Sequence, residues 1–268
     1  MFKFDPNQAY MMPGNFGPRP IGKATGYYHD VTSITVSYLT DRDKLAAYLP
    51  EPFEVGQEPI VSVYYGMNKE VDWLAGHSYN LIAVNASAIF KGDVDYLTGY
   101  YALVWWENLT DAIISGREIL GVPKIYADIP DHSIIGGQWQ AVASHFGHKI
   151  VDLMVDNLSP VTEEQIKQGV KDMEGKDHVM GWRYIPKSNS VGAEISQPVL
   201  FPVDRIFKEV WVGQGEVVWQ HLTWEQNPMQ YHIVNALADL PILEYLPALV
   251  TKESSNLEIP DRPPRDLR

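Results

Sequence analysis

The run VTSITVSYLT at 31–40 alternates apolar with polar positions and is rich in β-branched residues, which predicts a strand with one face buried. PIVSVYYGM at 59–67, YNLIAVNASAIF at 79–90 and GYYALVWWEN at 99–108 read as further strands, separated by polar turns such as KGDVD. QWQAVASHFG and HKIVDLMVD, at 138–156, predict a hairpin pivoting near Phe146, Gly147 and His148. WRYIP, AEISQPVLFPV and a pair of strands within 205–222, turning at Gly213, Gln214 and Gly215, continue the β pattern. Helices are fewer. DRDKLAAYLP opens on Asp41 with an acidic first turn and stops at Pro50. Thr110 or Asp111 can cap a helix through AIISGRE that ends at Gly121. TEEQIKQGVKDMEG at 162–175 is polar enough for a surface helix, and MQYHIVNALAD predicts a helix up to Asp239, followed by an apolar segment broken by Pro241 and Pro247. No repeat, low-complexity tract or linker interrupts the pattern. The expectation is one mainly β (α+β) domain over 1–268, its few helices covering sheet or barrel ends, with a Pro/Gly-rich N-terminal arm at about 1–22.

Composition narrows what such a domain does. Of 268 residues 45% are hydrophobic and 12% aromatic, ample for a packed core and far from a disordered chain. There is no cysteine, which removes disulfides, thiolate metal sites and thiol nucleophiles. A net charge of -13 opposes nucleic acid and anionic membrane surfaces, because binders of phosphate cluster Lys and Arg. The N-terminus lacks the continuous apolar core of a secretory signal, and no run reaches the roughly 18 apolar residues of a membrane span. A soluble cytoplasmic protein acting on a small molecule is the expectation.

Several chemistries have no motif. No Gly-rich strand-to-helix turn of the dinucleotide or Walker type occurs, and no G-x-S-x-G elbow. The eight histidines are scattered; His145 and His148, the closest pair, would face opposite ways on a single strand, so neither a metal nor another cofactor is expected. What stands out is Lys124, set among Gly121, Val122, Pro123 and Ile125. A free lysine titrates near ~10.4, so about one in 2,500 is neutral at pH 7. Making such an amine a nucleophile takes about three units, or about 4 kcal/mol of differential interaction, which burial can supply. The plain alternative is a strand-edge lysine whose head reaches water.

The stretch GREILGVPK, Gly116 to Lys124, resembles the G-R-E-x4-P-K signature of the acetoacetate decarboxylase superfamily. TDRDKLAAYLPEPFEV at 40–55 is similar to that family's helix ending in a P-E-P segment, and NALADLPILE at 235–244 to its C-terminal helix, so the likeness spans nearly the whole chain. It implies a double β-barrel and a lysine, here Lys124, that forms a Schiff base with an oxo acid. Departures accompany the match. Ile125 stands where the decarboxylase carries a second lysine, which leaves desolvation to activate the amine. Val31 falls at the family's substrate-side arginine and Leu81 near its catalytic glutamate. The pocket expected from these residues is apolar, lined by Val31, Leu81, Val122 and the strand from Tyr100, with Arg117 beside the substrate and Glu118 as a proton shuttle or a structural charge. Tyr79, Tyr100 and Tyr126 are further proton donors by residue type. The resulting expectation is a carbon-carbon lyase, either a decarboxylase of a β-keto acid or of aldolase-dehydratase type, acting on a small-molecule oxo acid or ketone bulkier than acetoacetate, without a cofactor, and assembling as a homo-oligomer. The alternative is a non-catalytic binding protein for an apolar small molecule on the same barrel.

Overall fold

The computed structural model describes residues 1–18, 25–257 and 263–268; residues 19–22 of the expected arm lie outside them. In chain order the elements are β1 (Tyr27–Leu39), α1 (Arg42–Ala46), β2 (Phe53–Val55), β3 (Ile60–Val71), β4 (Tyr79–Lys91), β5 (Tyr96–Glu107), α2 (Thr110–Ser115) and β6 (Lys124–Tyr126). They continue with β7 (Ser133–Ile135), β8 (Gln138–His145), β9 (His148–Pro160), α3 (Glu163–Met173), β10 (His178–Pro186), β11 (Ala193–Phe201) and β12 (Asp204–Trp219). The chain closes with α4 (Tyr231–Ala238), β13 (Glu244–Tyr245), β14 (Ala248–Asn256) and β15 (Arg265–Asp266). Among the described residues fifteen strands form one sheet, in the order β15-β11-β10-β5-β4-β3-β1-β14-β12-β9-β8-β7, with β2 on β4, β6 on β5 and β13 on β1. It is a mixed sheet: β5 runs parallel to both β10 and β6, and the other pairs are antiparallel.

Strand alternation divides this sheet into two unlike faces. Ile34, Val36 and Tyr38 of β1 align with Tyr65, Val63 and Val61 of β3, and these with Ile82, Val84 and Ala86 of β4, to form the main hydrophobic core. One residue out of phase, the opposite face carries Val31, Ser33 and Thr35, then Tyr64, Gly66 and Asn68, then Leu81, Ala83 and Asn85. A face that mixes buried apolar with buried polar groups is not built for packing alone.

Helix ends follow their sequence signals at α1 and α3, whereas at α2 the N-cap position is Leu109 and neither Thr110 nor Asp111 caps the helix. Asp41 caps α1 by accepting from the backbone N–H of Lys44 at 2.9 Å. Thr162 and Gln165 close a reciprocal capping box on α3. Three further expectations are corrected. The pair of strands around Gly213 and Gly215 is one continuous strand, β12, and the glycines serve close approach. A Cβ on Gly213 would lie 2.3 Å from the Asp156 carbonyl oxygen, and one on Gly215 would lie 2.7 Å from the Ala248 Cβ. The segment after Pro247 is β14, a strand between β1 and β12, because Pro247 precedes it and removes no donor from its ladder. His145 and His148 are opposed across the tight turn at Phe146 and Gly147, since the hairpin reverses the chain between them.

The C-terminus is clasped to the start of β5. The Asp95 carboxylate accepts from both Arg265 nitrogens, at 2.9 and 2.7 Å, and from the backbone N–H of Arg268 at 2.9 Å. Arg265, helped by the Arg268 N–H, holds the Asp95 carboxyl down to about 2, below its ordinary 3.8. The folded-state value is the lower one, so the stabilisation is complete above 3.8 and is lost as pH falls through about 2. Because Arg265 is partly solvated, the clasp contributes about 1 kcal/mol. Asp95→Asn is therefore expected to lower the urea midpoint at neutral pH, with the difference from the parent chain closing as pH approaches about 2; a constant difference across that range would rule the clasp out.

Candidate active site

Lys124 owes its position to the turn that precedes it. Helix α2 runs without a break into a wider π turn, Gly116–Leu120, which Gly121 ends in the left-handed conformation at φ 74°. Only glycine suits that place twice over, because a Cβ on Gly121 would also meet the Arg183 Cβ at 2.6 Å. The Gly116 carbonyl accepts from Val122 N–H at 3.0 Å, and the Pro123 carbonyl accepts from Trp105 N–H at 3.0 Å as the chain joins β5. Arg117 Nη1 donates to the Lys124 carbonyl at 2.9 Å, and Arg183 Nη2 donates to that of Glu118. Pro123 fixes φ where the chain enters β6. Thus each part of the G-R-E-x4-P-K stretch has a mechanical role in aiming one side chain.

That side chain is buried, with Lys124 only 5% exposed. Its Nζ lies 2.8 Å from Glu107 Oε1, donates to the Ala112 carbonyl at 3.3 Å and sits 5.8 Å from the centre of a Trp105 ring. Glu107 is fully buried. Burial raises its carboxyl above the ordinary value, and the Lys124 amine pulls it back. A carboxyl under those opposed influences is suited to trade a proton with the amine it touches. Glu107 lies two residues beyond Trp105 on β5, and Trp105 is the lateral neighbour of Lys124, so all three share a face.

Across the sheet, Trp105, Ala83, Tyr64 and Thr35 continue the lateral row that starts at Lys124. The small Ala83 between two aromatics leaves room above the strands. Val31, Leu81 and Ala112 pack together with Tyr79 at one end, while Val122 packs with Ala102, Val199 and Phe201, and Trp105 touches both groups. Trp105 and Phe201 rings meet edge to face at 5.6 Å. The apolar surfaces expected at Val31, Leu81 and Val122 are therefore brought to the Lys124 region. Tyr100 lies on β5 within electrostatic range of Arg205, and burial raises its phenol. Tyr79 is buried, its hydroxyl 3.1 Å from that of Tyr28, and burial with the charges of Tyr28 and Glu107 raises it well above the ordinary value. Tyr126 faces outward and donates to Asp128 at 2.8 Å.

Among the described residues the carboxylate on Lys124 is that of Glu107, and Glu118 meets Arg183 through its backbone carbonyl. Ile125 turns to the opposite face and packs on the main core, as alternation in β6 requires. Sequence reasoning missed Glu107, although an acid ending the apolar run YYALVWWE was a visible anomaly. It also missed Tyr64, Glu253 and Arg205, which come from strands distant in sequence. Two surface recesses of about 400 and 680 Å³, one at Tyr48, Tyr101 and Trp182 and the other at Trp139, Asp156 and Trp211, lie apart from Lys124.

A buried amine–carboxylate pair on the polar face of a large mixed β-sheet defines the class of site, and comparison with known proteins places the chain. The sequence model of the family described as acetoacetate decarboxylase (ADC) matches residues 11–257, so this chain belongs to that family. An acetoacetate decarboxylase of Paraburkholderia phytofirmans is 24% identical over 252 residues, covering 90% of this chain and 86% of that protein. The crystal structure of acetoacetate decarboxylase from Legionella pneumophila superposes with a TM-score of 0.73 at 17% identity, covering 100% of this chain and 98% of that one. The enduracididine biosynthesis enzyme MppR, complexed with the condensation product of pyruvate and imidazole 4-carboxaldehyde, superposes with a TM-score of 0.71 at 15% identity, covering 98% and 97%.

Gly116 gives a direct test of how the amine is aimed. A Cβ there would lie 2.5 Å from Lys124 Cδ, 2.6 Å from Cε and 2.9 Å from Nζ. Gly116→Ala is expected to push the amine off Glu107 and lower any lysine-dependent turnover about a hundredfold, while the far-UV circular dichroism stays that of the parent chain. Unchanged turnover would show that the Lys124 rotamer is not decisive.

Proposed function

We propose that the protein is a carbon-carbon lyase that uses Lys124 to form a Schiff base with an oxo acid. The observation that carries this reading is the 2.8 Å contact between the Lys124 amine and the fully buried Glu107 carboxylate. Lys124 passes a proton to Glu107, and the neutral amine attacks the substrate carbonyl carbon, forming a C–N bond as one proton of the attacking nitrogen moves to the carbonyl oxygen. Glu107 returns its proton to the departing hydroxyl, water leaves, and an iminium remains. That cation draws in the electron pair of the carbon-carbon bond one carbon away. If the bond leads to a carboxylate, carbon dioxide leaves; if it leads to a hydroxyl-bearing carbon, that hydroxyl gives up its proton and an aldehyde leaves. Both routes produce an enamine, which takes a proton on carbon, and water then hydrolyses the new iminium to release product and restore Lys124. The low-dielectric surroundings strengthen each charge movement in this sequence.

Glu118 is assigned in this reading to fixing the π turn through its backbone, with Arg117 holding the Lys124 carbonyl. The double β-barrel form belongs to the same proposal. It is supported by side chains that meet across several strands and by the bridge between Asp128 and Ser144, which ties the chain beyond β6 to β8. So do a single domain and a homo-oligomer, the latter supported by the aromatic cluster of Phe2, Phe4 and Tyr10 near the chain start.

The test is reductive trapping. With borohydride and a panel of 2-oxo and 3-oxo acids, a mass adduct is expected on Lys124 and absent from Lys124→Arg. Glu107→Gln should slow adduct formation about a hundredfold or more, because proton transfer is lost while the amine stays. Binding of panel members without any trapped adduct would instead identify a binding protein.

A further inference from the structure

Asn68 of β3 is only 5% exposed, and its Nδ2 is buried with no hydrogen-bond partner among the described residues. An amide donor taken out of water and left unpaired costs stability, so packing alone does not account for an asparagine here. In register Asn68 lies between Tyr79 of β4 and Val31 of β1, on the face that carries Tyr64, Leu81 and Ala83. Both neighbours belong to the apolar cluster that extends to the nucleophile. Val31 and Tyr79 pack with Leu81 and Ala112, and Trp105 packs against that group. The Ala112 carbonyl accepts from Lys124 Nζ at 3.3 Å, and the Trp105 ring centre is 5.8 Å from the same nitrogen. The hydroxyls at this end of the cluster are already engaged: those of Tyr79 and Tyr28 meet at 3.1 Å, and Trp73 Nε1 donates to Tyr28 at 3.0 Å. What is left is a neutral amide without a partner, set in apolar surroundings next to the Lys124 site.

We infer that Asn68 is a specificity-determining residue that binds a hydroxyl group of the substrate, so that the substrate is a hydroxy oxo acid and not a plain one. The inference rests on the proposed Schiff base for the oxo acid itself. A charged group does not suit the position, because Val31 and Tyr79 on either side offer it no counter-charge and burial would penalise it. A hydroxyl does suit it, since a hydroxyl is neutral and either accepts from an amide nitrogen or donates to an amide oxygen. A ligand that brings this oxygen satisfies the buried donor, whereas an analogue lacking it leaves the amide unpaired again, and this asymmetry is a strong source of discrimination. Of the two bond cleavages described above, the one whose substrate bears a hydroxyl is the aldol type.

The probes are 4-hydroxy-2-oxopentanoate and 2-oxopentanoate, which differ only in the hydroxyl. Calorimetry on the full chain carrying Lys124→Met and Glu107→Gln, which removes both buried charges together, reads their binding without covalent chemistry. The hydroxy acid is expected to bind about ten- to a hundredfold more tightly. Adding Asn68→Leu should erase that preference by weakening the hydroxy acid, while 2-oxopentanoate stays within about twofold. Thermal melting of Asn68→Leu on the otherwise unaltered chain gives a second readout. Its midpoint should be no lower than that of the parent, because an apolar group of similar volume replaces an unpaired donor. Equal affinity for the two acids overturns the inference, as does a preference that survives Asn68→Leu. A lowered midpoint also overturns it, by showing that the fold itself uses the amide. Borohydride trapping on the unaltered chain reports on the Schiff base separately. No adduct with either acid, beside an intact hydroxyl preference, would sink the covalent reading and leave Asn68 standing; adducts without that preference would do the reverse.

Discussion

The buried pair of Lys124 and Glu107 is the constraint around which this molecule is built. Two opposite charges taken out of water cost more than most single contacts return, and removing one partner leaves the other uncompensated, at about 3–5 kcal/mol. Such a pair persists only where the surroundings hold both groups rigidly. Here β5 ends on Glu107, β6 begins on Lys124, and the π turn between them is shaped by Gly116 and Gly121. The carbonyl of Ala112 accepts a further hydrogen bond from the amine, so the ammonium is satisfied from α2 as well as from Glu107. A motif of nine residues thus acts as a jig for one nitrogen atom.

Curvature of the sheet supplies the rest of the site. Side chains on neighbouring strands of a flat sheet stand parallel, yet Tyr64 of β3 bonds Glu253 of β14, and Arg205 of β12 covers the Tyr64 ring. Convergence of this kind requires a concave face. Gly213 and Gly215 in β12 permit part of it, because neighbouring strands approach there more closely than any side chain would allow. The same bending gathers Trp105, Phe201 and Val122 into an apolar wall beside the amine. The apolar wall and the meeting of Arg205 with Tyr64 therefore share one geometric feature.

The buried acid of this site comes from a position other than the one the resemblance marks. Val31 and Leu81, which stand where the resemblance places a cation and an acid, form apolar surface instead. A buried acid is nevertheless present at Glu107 and a cation at Arg205, each delivered by another strand.

Much of this protein was legible from residue order alone. Alternation in β1, β3, β4 and β5, the helix start at Asp41 and the Gly-Val-Pro-Lys turn are local features, and local sterics and hydrogen bonding decide them. The nucleophile candidate was likewise visible, since Lys124 stands alone in an apolar run. Residue order misread β12 and β14, where glycine and proline, usually signs of a turn or break, serve close strand approach and a strand entrance. It did not find the partner of Lys124 or the opposite wall. Glu107 meets Lys124 only because two parallel strands place Trp105 beside it, and Arg205 reaches Tyr64 only across an intervening β14 and β1. Such contacts depend on register and curvature, which are set by the packing of the whole sheet and are carried by no short stretch of the chain.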